Sequence, residues 1–254
     1  MNQKRVNTLF LLLQIIITLV YGAMIVHMTK IIFEETPNSY IDDVVSYLPQ
    51  FVILLSSIIP QIALRVKRRL HSQDGEIYPL LFTIIAIQAT LVIPKYTEVT
   101  GIFIVDSSIL VSIGRFSLLG SAALFLISAL RYYGFNSSKI DIYTSAVLAA
   151  SLLISLFAPI SSTKKENAMN VFNSQYDAYI QMAIILLYVT TIITLLVFAI
   201  KDKSPINTRR FIGFTLIIVG LHLSTSYEFI TAIISSVLYL TGIIILTFNT
   251  GESF

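Results

Sequence analysis

The chain has 254 residues, of which 56% are apolar and only 12% charged, with a mean hydropathy of +0.82. A soluble domain carries about a quarter charged residues, so this composition excludes an ordinary water-soluble fold and predicts an all-α integral membrane protein, a single polytopic domain over residues 1–254. The net charge of +3 belongs to loops that set membrane topology rather than to a nucleic-acid surface, and the absence of cysteine excludes disulfides, thiolate metal sites and a catalytic thiol.

A helix crossing a hydrocarbon core of about 30 Å needs about 20 apolar residues, and eight apolar runs meet or approach that length. The first covers residues 8–28. The basic segment before it also suits a signal peptide, but the long apolar core and the lack of a small-x-small site predict an uncleaved helix. The second covers 47–64. The third covers 78–93 and opens with Pro79, which a first helical turn tolerates. Between residues 95 and 108 the apolar piece Gly101–Val105 is too short to span, so it is expected to be interfacial or re-entrant.

The fourth and fifth runs cover 108–130 and 142–159. Gly114, Ser117, Gly120 and Ser121 on one, and Ala146, Ala149, Ala150 and Ser151 on the other, stand three and four residues apart, which predicts that these two helices pack together through small faces. The sixth run covers 178–200, the seventh 211–225 and the eighth 229–248. Only Ser226, Tyr227 and Glu228 separate the last two, so they form a tight antiparallel hairpin. On these boundaries Pro60 and Pro159 fall near span ends, where they cost little.

Charge then orients the bundle. Lys4, Arg5, Arg65, Lys67, Arg68, Arg69, Arg131, Lys139, Lys201, Lys203, Arg209 and Arg210 occupy one set of alternate gaps, against Lys30, Lys95, Lys164 and Lys165 in the other. The positive-inside rule places the richer side, with both termini, in the cytoplasm. Compact loops and an Ile-, Lys- and Asn-rich composition suggest a bacterial inner membrane.

One basic residue remains. Arg115 is the only Lys or Arg inside a predicted span, about seven residues or roughly 10 Å from its outer start. A charge at that depth either snorkels or finds a partner, and Glu228 and Asp177 stand at outer ends of other spans. His222 lies in the outer half of the seventh span, Gln88 midway along the third, and His27 at the outer end of the first. Together they predict an outward-facing ligand pocket floored by Gln88 and His222, anchored by Arg115 and bordered by Glu228. A guanidinium fork suits carboxylate or phosphate, so the expected ligand is a small anionic or polar molecule. The competing expectation is structural: Arg115 locks helix packing, and His222 is an ordinary hydrogen-bonding residue. Gln14 and Gln61, in the cytoplasmic half, are expected to bond each other. Tyr132, Tyr133, Tyr176 and Tyr179 are expected to be interfacial anchors.

Hydrolase, zinc-protease and P-loop motifs are absent, no span holds a Schiff-base lysine, and His27 and His222 lie at different depths, so no cofactor or metal is expected. No Asp or Glu lies at mid-depth to support proton-coupled transport. The pattern therefore fits first a membrane-embedded sensor or binding module that acts through a protein partner on the basic cytoplasmic face. Alternatives are a transporter, or the membrane subunit of a transport complex, for a small neutral or anionic solute, and a structural or assembly factor. An enzyme using His222 as base beside Glu228 or Asp177 fits least. The partners expected are the lipid bilayer and that cytoplasmic protein, and no nucleic acid.

Overall fold

The computed structural model describes residues 3–35, 44–45, 47–66, 73–134, 139–158, 175–225 and 228–248, and among them every regular element is helical. The helices are α1 (Gln3–Glu35), α2 (Leu48–Ser56), α3 (Ile58–Val66), α4 (Gln73–Ile87), a 3₁₀ turn (Gln88–Val92), α5 (Ile93–Thr100), α6 (Ser107–Tyr132), α7 (Ile140–Phe157), α8 (Gln175–Asp202), α9 (Pro205–Leu223) and α10 (Phe229–Phe248). Six helical segments are long and apolar enough to cross a membrane: α1, α2–α3, α4–α5, α6, α8 and α10. These long apolar helices suit a membrane, by length and composition. Of the other two expected spans, α7 is shorter, and α9 begins in a polar turn containing Arg209 and Arg210.

Prolines explain why two spans are interrupted. Pro60 has no N–H to give the Ser56 carbonyl, and its ring crowds that carbonyl. The second span accordingly breaks at Ser57, whose own N–H closes α2 on Ile53 at 3.0 Å. Pro60 thus lies within the span rather than near its end, because α3 runs on to Val66. Pro94 likewise withholds an N–H from Thr90. The chain tightens into the 3₁₀ turn, and the Ile93 N–H takes the Thr90 carbonyl instead. The third span therefore continues to Thr100, past the expected end at residue 93. Pro79, inside α4, frees the Gly75 carbonyl, and Asn7 of α1 donates to it at 3.0 Å. In lipid such freed groups must be satisfied by neighbours.

Two other boundaries differ from expectation. With no proline or glycine between Ala23 and Pro37, α1 extends over 33 residues, about 50 Å and longer than the hydrocarbon core. Gly101, in the left-handed region at φ 69°, ends α5 by donating to Thr97. The apolar residues after it, Ile102 to Ile104, form an exposed irregular link to α6.

Successive spans alternate in direction, and the contacts show which ends meet. Asn7, Glu76, Arg131, Lys201 and Arg210 gather at one end: Glu76 and Arg131 form an ion pair, Lys201 lies 5.4 Å from the Tyr133 ring, and Arg210 lies 4.1 Å from the Tyr132 ring. This is the basic end. Tyr132 is buried there, its hydroxyl 3.3 Å from that of Tyr78, so of the expected aromatic anchors only Tyr133 and Tyr179 lie exposed; the Tyr176 side chain falls outside the described residues. His27 and Tyr96, 2.9 Å apart, join α1 to α5 at the opposite end.

Helix α6 is central, packed against α4, α7 and α8. Phe125 meets Phe214 edge-on at 5.5 Å, and Tyr78 meets both Phe82 and Phe214. The α6–α7 pair forms as expected, but only part of the small faces takes part: a Cβ on Gly120 would lie 3.4 Å from Leu148 of α7, and Ser151 is buried. Ala146, Ala149 and Ala150 are exposed, and Ser117 turns away from α7 to donate to the Ile84 carbonyl of α4 at 2.6 Å. Close glycine packing occurs between α9 and α10. A Cβ on Gly242 would lie 2.7 Å from the Gly213 carbonyl, and one on Gly220 would lie 2.8 Å from the Tyr239 nitrogen. These backbones touch because nothing stands between them.

Candidate functional site

Helix C-termini leave carbonyls short of intrahelical donors, and near the end of α9 Gly220, Leu221 and Ser224 are buried, so their carbonyls call for further donors. Side chains provide them. Ser235 Oγ donates to the Gly220 carbonyl at 2.8 Å, Ser224 Oγ to Leu221 at 2.7 Å, and Thr225 Oγ1 to His222 at 2.7 Å. The Ser224 carbonyl is met by Gln50 Nε2 of α2 at 3.3 Å, and the Ser224 hydroxyl by Gln88 Nε2 of the 3₁₀ turn at 3.2 Å.

This arrangement fixes the orientation of both amides. A carbonyl oxygen only accepts, so Gln50 must present its NH₂ to Ser224. The Ser224 proton is committed to Leu221, so its oxygen must accept from Gln88. Each side-chain carbonyl, Gln50 Oε1 and Gln88 Oε1, is thereby turned away from Ser224. Both glutamines are 1% exposed, and neither oxygen has a hydrogen-bond partner. Thr90, two residues beyond Gln88, adds a third buried oxygen in the same condition. Buried acceptors are rarely left unmet. The node thus spends its donors on α9 and keeps a surplus of neutral acceptors, next to the negative end of a helix dipole.

The residues expected to share a pocket are distributed differently. Gln88 belongs to this node. His222 is half-buried two residues before Ser224 on α9, and Glu228 is exposed at the start of α10. Arg115 is 1% exposed and donates to the Ala158 carbonyl at 2.9 Å, at the C-terminus of α7. Residues 115 and 117 are about 200° apart around α6. Since Ser117 faces α4, Arg115 points away from the strand of chain that carries Gln88. The Asp177 side chain falls outside the described residues. Gln61 donates to Gln14 as expected, and also lies 3.3 Å from the Pro79 carbonyl and from Thr83 Oγ1.

Gln50 and Ser224 were not anticipated as a pair. The available signal was spacing: Gln50, Ser57 and Gln61 stand seven and four residues apart, one face of a helix. Ser57 is 2.7 Å from the Tyr239 hydroxyl, so all three are buried and engaged. Among the described residues no group of three or more His, Asp or Glu could hold a metal ion. Comparison with protein-family models, with curated proteins and with solved structures finds no match.

Proposed function

We propose that this chain is a membrane-embedded binding module, its site the Gln50–Gln88–Ser224 node and its ligand a small solute rich in N–H donors, such as a primary ammonium. The observation that carries this is the pair of buried, unmet glutamine oxygens, which ask for a donor. An anion is disfavoured at that place, because Arg115 is engaged with α7. Exposed Glu228, at the same end of the bundle, adds an attraction for cations. In this proposal the basic end faces the cytoplasm of a bacterial inner membrane, all eight helical segments cross it, and the module acts through a protein partner on that basic face.

Transport is the second proposal, favoured by the track of Gln50, Ser57 and Gln61. It extends about 16 Å along the broken second span and meets Ser224, Tyr239 and Gln14 in turn. Interrupted spans of this kind accompany solute sites in many transporters.

Thermal unfolding of the purified protein in detergent tests the site. Methylammonium chloride should raise the Tm, as a ligand of the folded state does. Tetramethylammonium chloride, which has the charge but no N–H, should not. Equal effects of the two salts would contradict the assignment. Accumulation of methylammonium in proteoliposomes would select transport over binding alone.

A further inference from the structure

A groove of about 370 Å³ runs between α6, α7 and α8, lined by Leu119, Ala123, Ile127, Val147, Ala150 and Leu187 among others. It is almost wholly apolar. The one serine in its wall, Ser151, spends its hydroxyl on the Val147 carbonyl at 2.8 Å. On α6 it extends from Leu119 to Leu130, and on α7 from Ile154 to Tyr143. Each stretch is twelve residues, about 16 Å from first to last, or one half of a hydrocarbon core of about 30 Å. The half in question adjoins the basic end, since Leu130 precedes Arg131 and Tyr143 lies in the first turn of α7.

We propose that this groove holds one acyl chain of an anionic phospholipid from the leaflet at the basic end. Length supports an acyl chain: the groove matches one leaflet in depth and does not continue into the other. Charge supports an anionic headgroup. Exposed Lys139 is the residue just before α7, four residues before Tyr143, and exposed Lys201 lies 5.4 Å from the Tyr133 ring, three residues beyond Leu130. Two ammonium groups therefore flank the mouth of the groove where a phosphodiester would lie. Tyr143, part of the lining, places an amphipathic ring at the same level.

Native mass spectrometry of the detergent-purified protein, titrated with phosphatidylglycerol or with phosphatidylcholine of the same chains, tests this. One phosphatidylglycerol should bind in preference to phosphatidylcholine. Lys139→Gln and Lys201→Gln should each lower that preference about fivefold. Ala150→Phe, which fills the groove from an exposed position, should abolish the tight site for both lipids while leaving the Tm near that of the parent. Equal affinity for the two lipids, or unchanged binding in Ala150→Phe, would overturn the proposal. So would a dimer that dissociates in Ala150→Phe, since a second copy would then be the occupant.

Discussion

The guanidinium of Arg115, on α6, donates to the Ala158 carbonyl and so closes the C-terminus of α7. Ala158 is extended at ψ 122°, as the residue before a proline tends to be, and Pro159 cannot continue the helix. Among the described residues the largest fully buried side chain thus answers the end of a neighbouring helix. A charged donor near a helix C-terminus is favoured by both the hydrogen bond and the dipole.

If that is the main duty of Arg115, its charge matters more than its fork. Arg115→Met should lower unfolding stability by about 2 kcal/mol, the worth of a hydrogen bond from a charged donor. Arg115→Lys should retain most of it. Unfolding in mixed micelles measures both, and an equal loss in the two variants would contradict the capping role.

Glu76 and Arg131 pair at the basic end, with the Arg131 side chain 6% and the Glu76 side chain 37% exposed. Breaking a fully buried pair costs about 3–5 kcal/mol, and solvent at Glu76 screens part of this. Glu76→Gln should therefore lower stability by about 1–2 kcal/mol. An unchanged unfolding midpoint would show that Arg131 does not depend on this carboxylate.

The α9–α10 contact should tolerate no added methyl. Gly220→Ala and Gly242→Ala should each cost about 1–3 kcal/mol through overpacking, because backbone atoms lie within 3 Å of the new Cβ. Gly22→Ala is the control: nothing lies within 4 Å of it, and it should be neutral or slightly stabilising. Thermal unfolding of the three variants decides the matter, and similar values for all would contradict the close approach.

Asp106 caps α6, accepting from the Ser108 N–H and hydroxyl at 2.8 Å each. These bonds, the backbone one foremost, hold its carboxyl below the ordinary 3.8. A carboxylate whose folded pKa is depressed contributes stability above its unfolded pKa and loses it as pH falls through the folded value. Amide exchange at Ser108–Leu110 should thus be slow near neutral pH and rise in relative terms under strong acid. Asp106→Ala should exchange fast throughout, and Asp106→Asn should keep the cap without the pH dependence. Identical protection in the parent and Asp106→Ala would contradict the cap.

Much of the architecture was legible because apolar length and loop charge act independently of packing detail. Apolar runs of that length read as helices, and among the described residues Arg131, Lys201 and Arg210 meet at one end of the bundle. The Gln14–Gln61 bond was legible for a related reason: two amides at one depth in lipid have few other partners. The breaks at Ser57 and Gln88–Val92 were less so. Pro60 and Pro94 were visible, yet what they did depended on how far each helix ran beyond its apolar run. The contact of Arg115 with Ala158 was hidden because a backbone carbonyl leaves no mark in the sequence, and only Pro159 hinted that a helix end needed a donor there. Gln50 lay at a span edge, where a glutamine attracts no notice until Ser224 is seen to face it.

The most direct test of the binding node is equilibrium binding of radiolabelled methylammonium to the purified protein. The node predicts one saturable site per chain, lost in Gln50→Leu and Gln88→Leu and kept in Arg115→Lys. Loss of the site in Arg115→Lys, with both glutamine variants binding like the parent, would contradict it and return the ligand to the arginine.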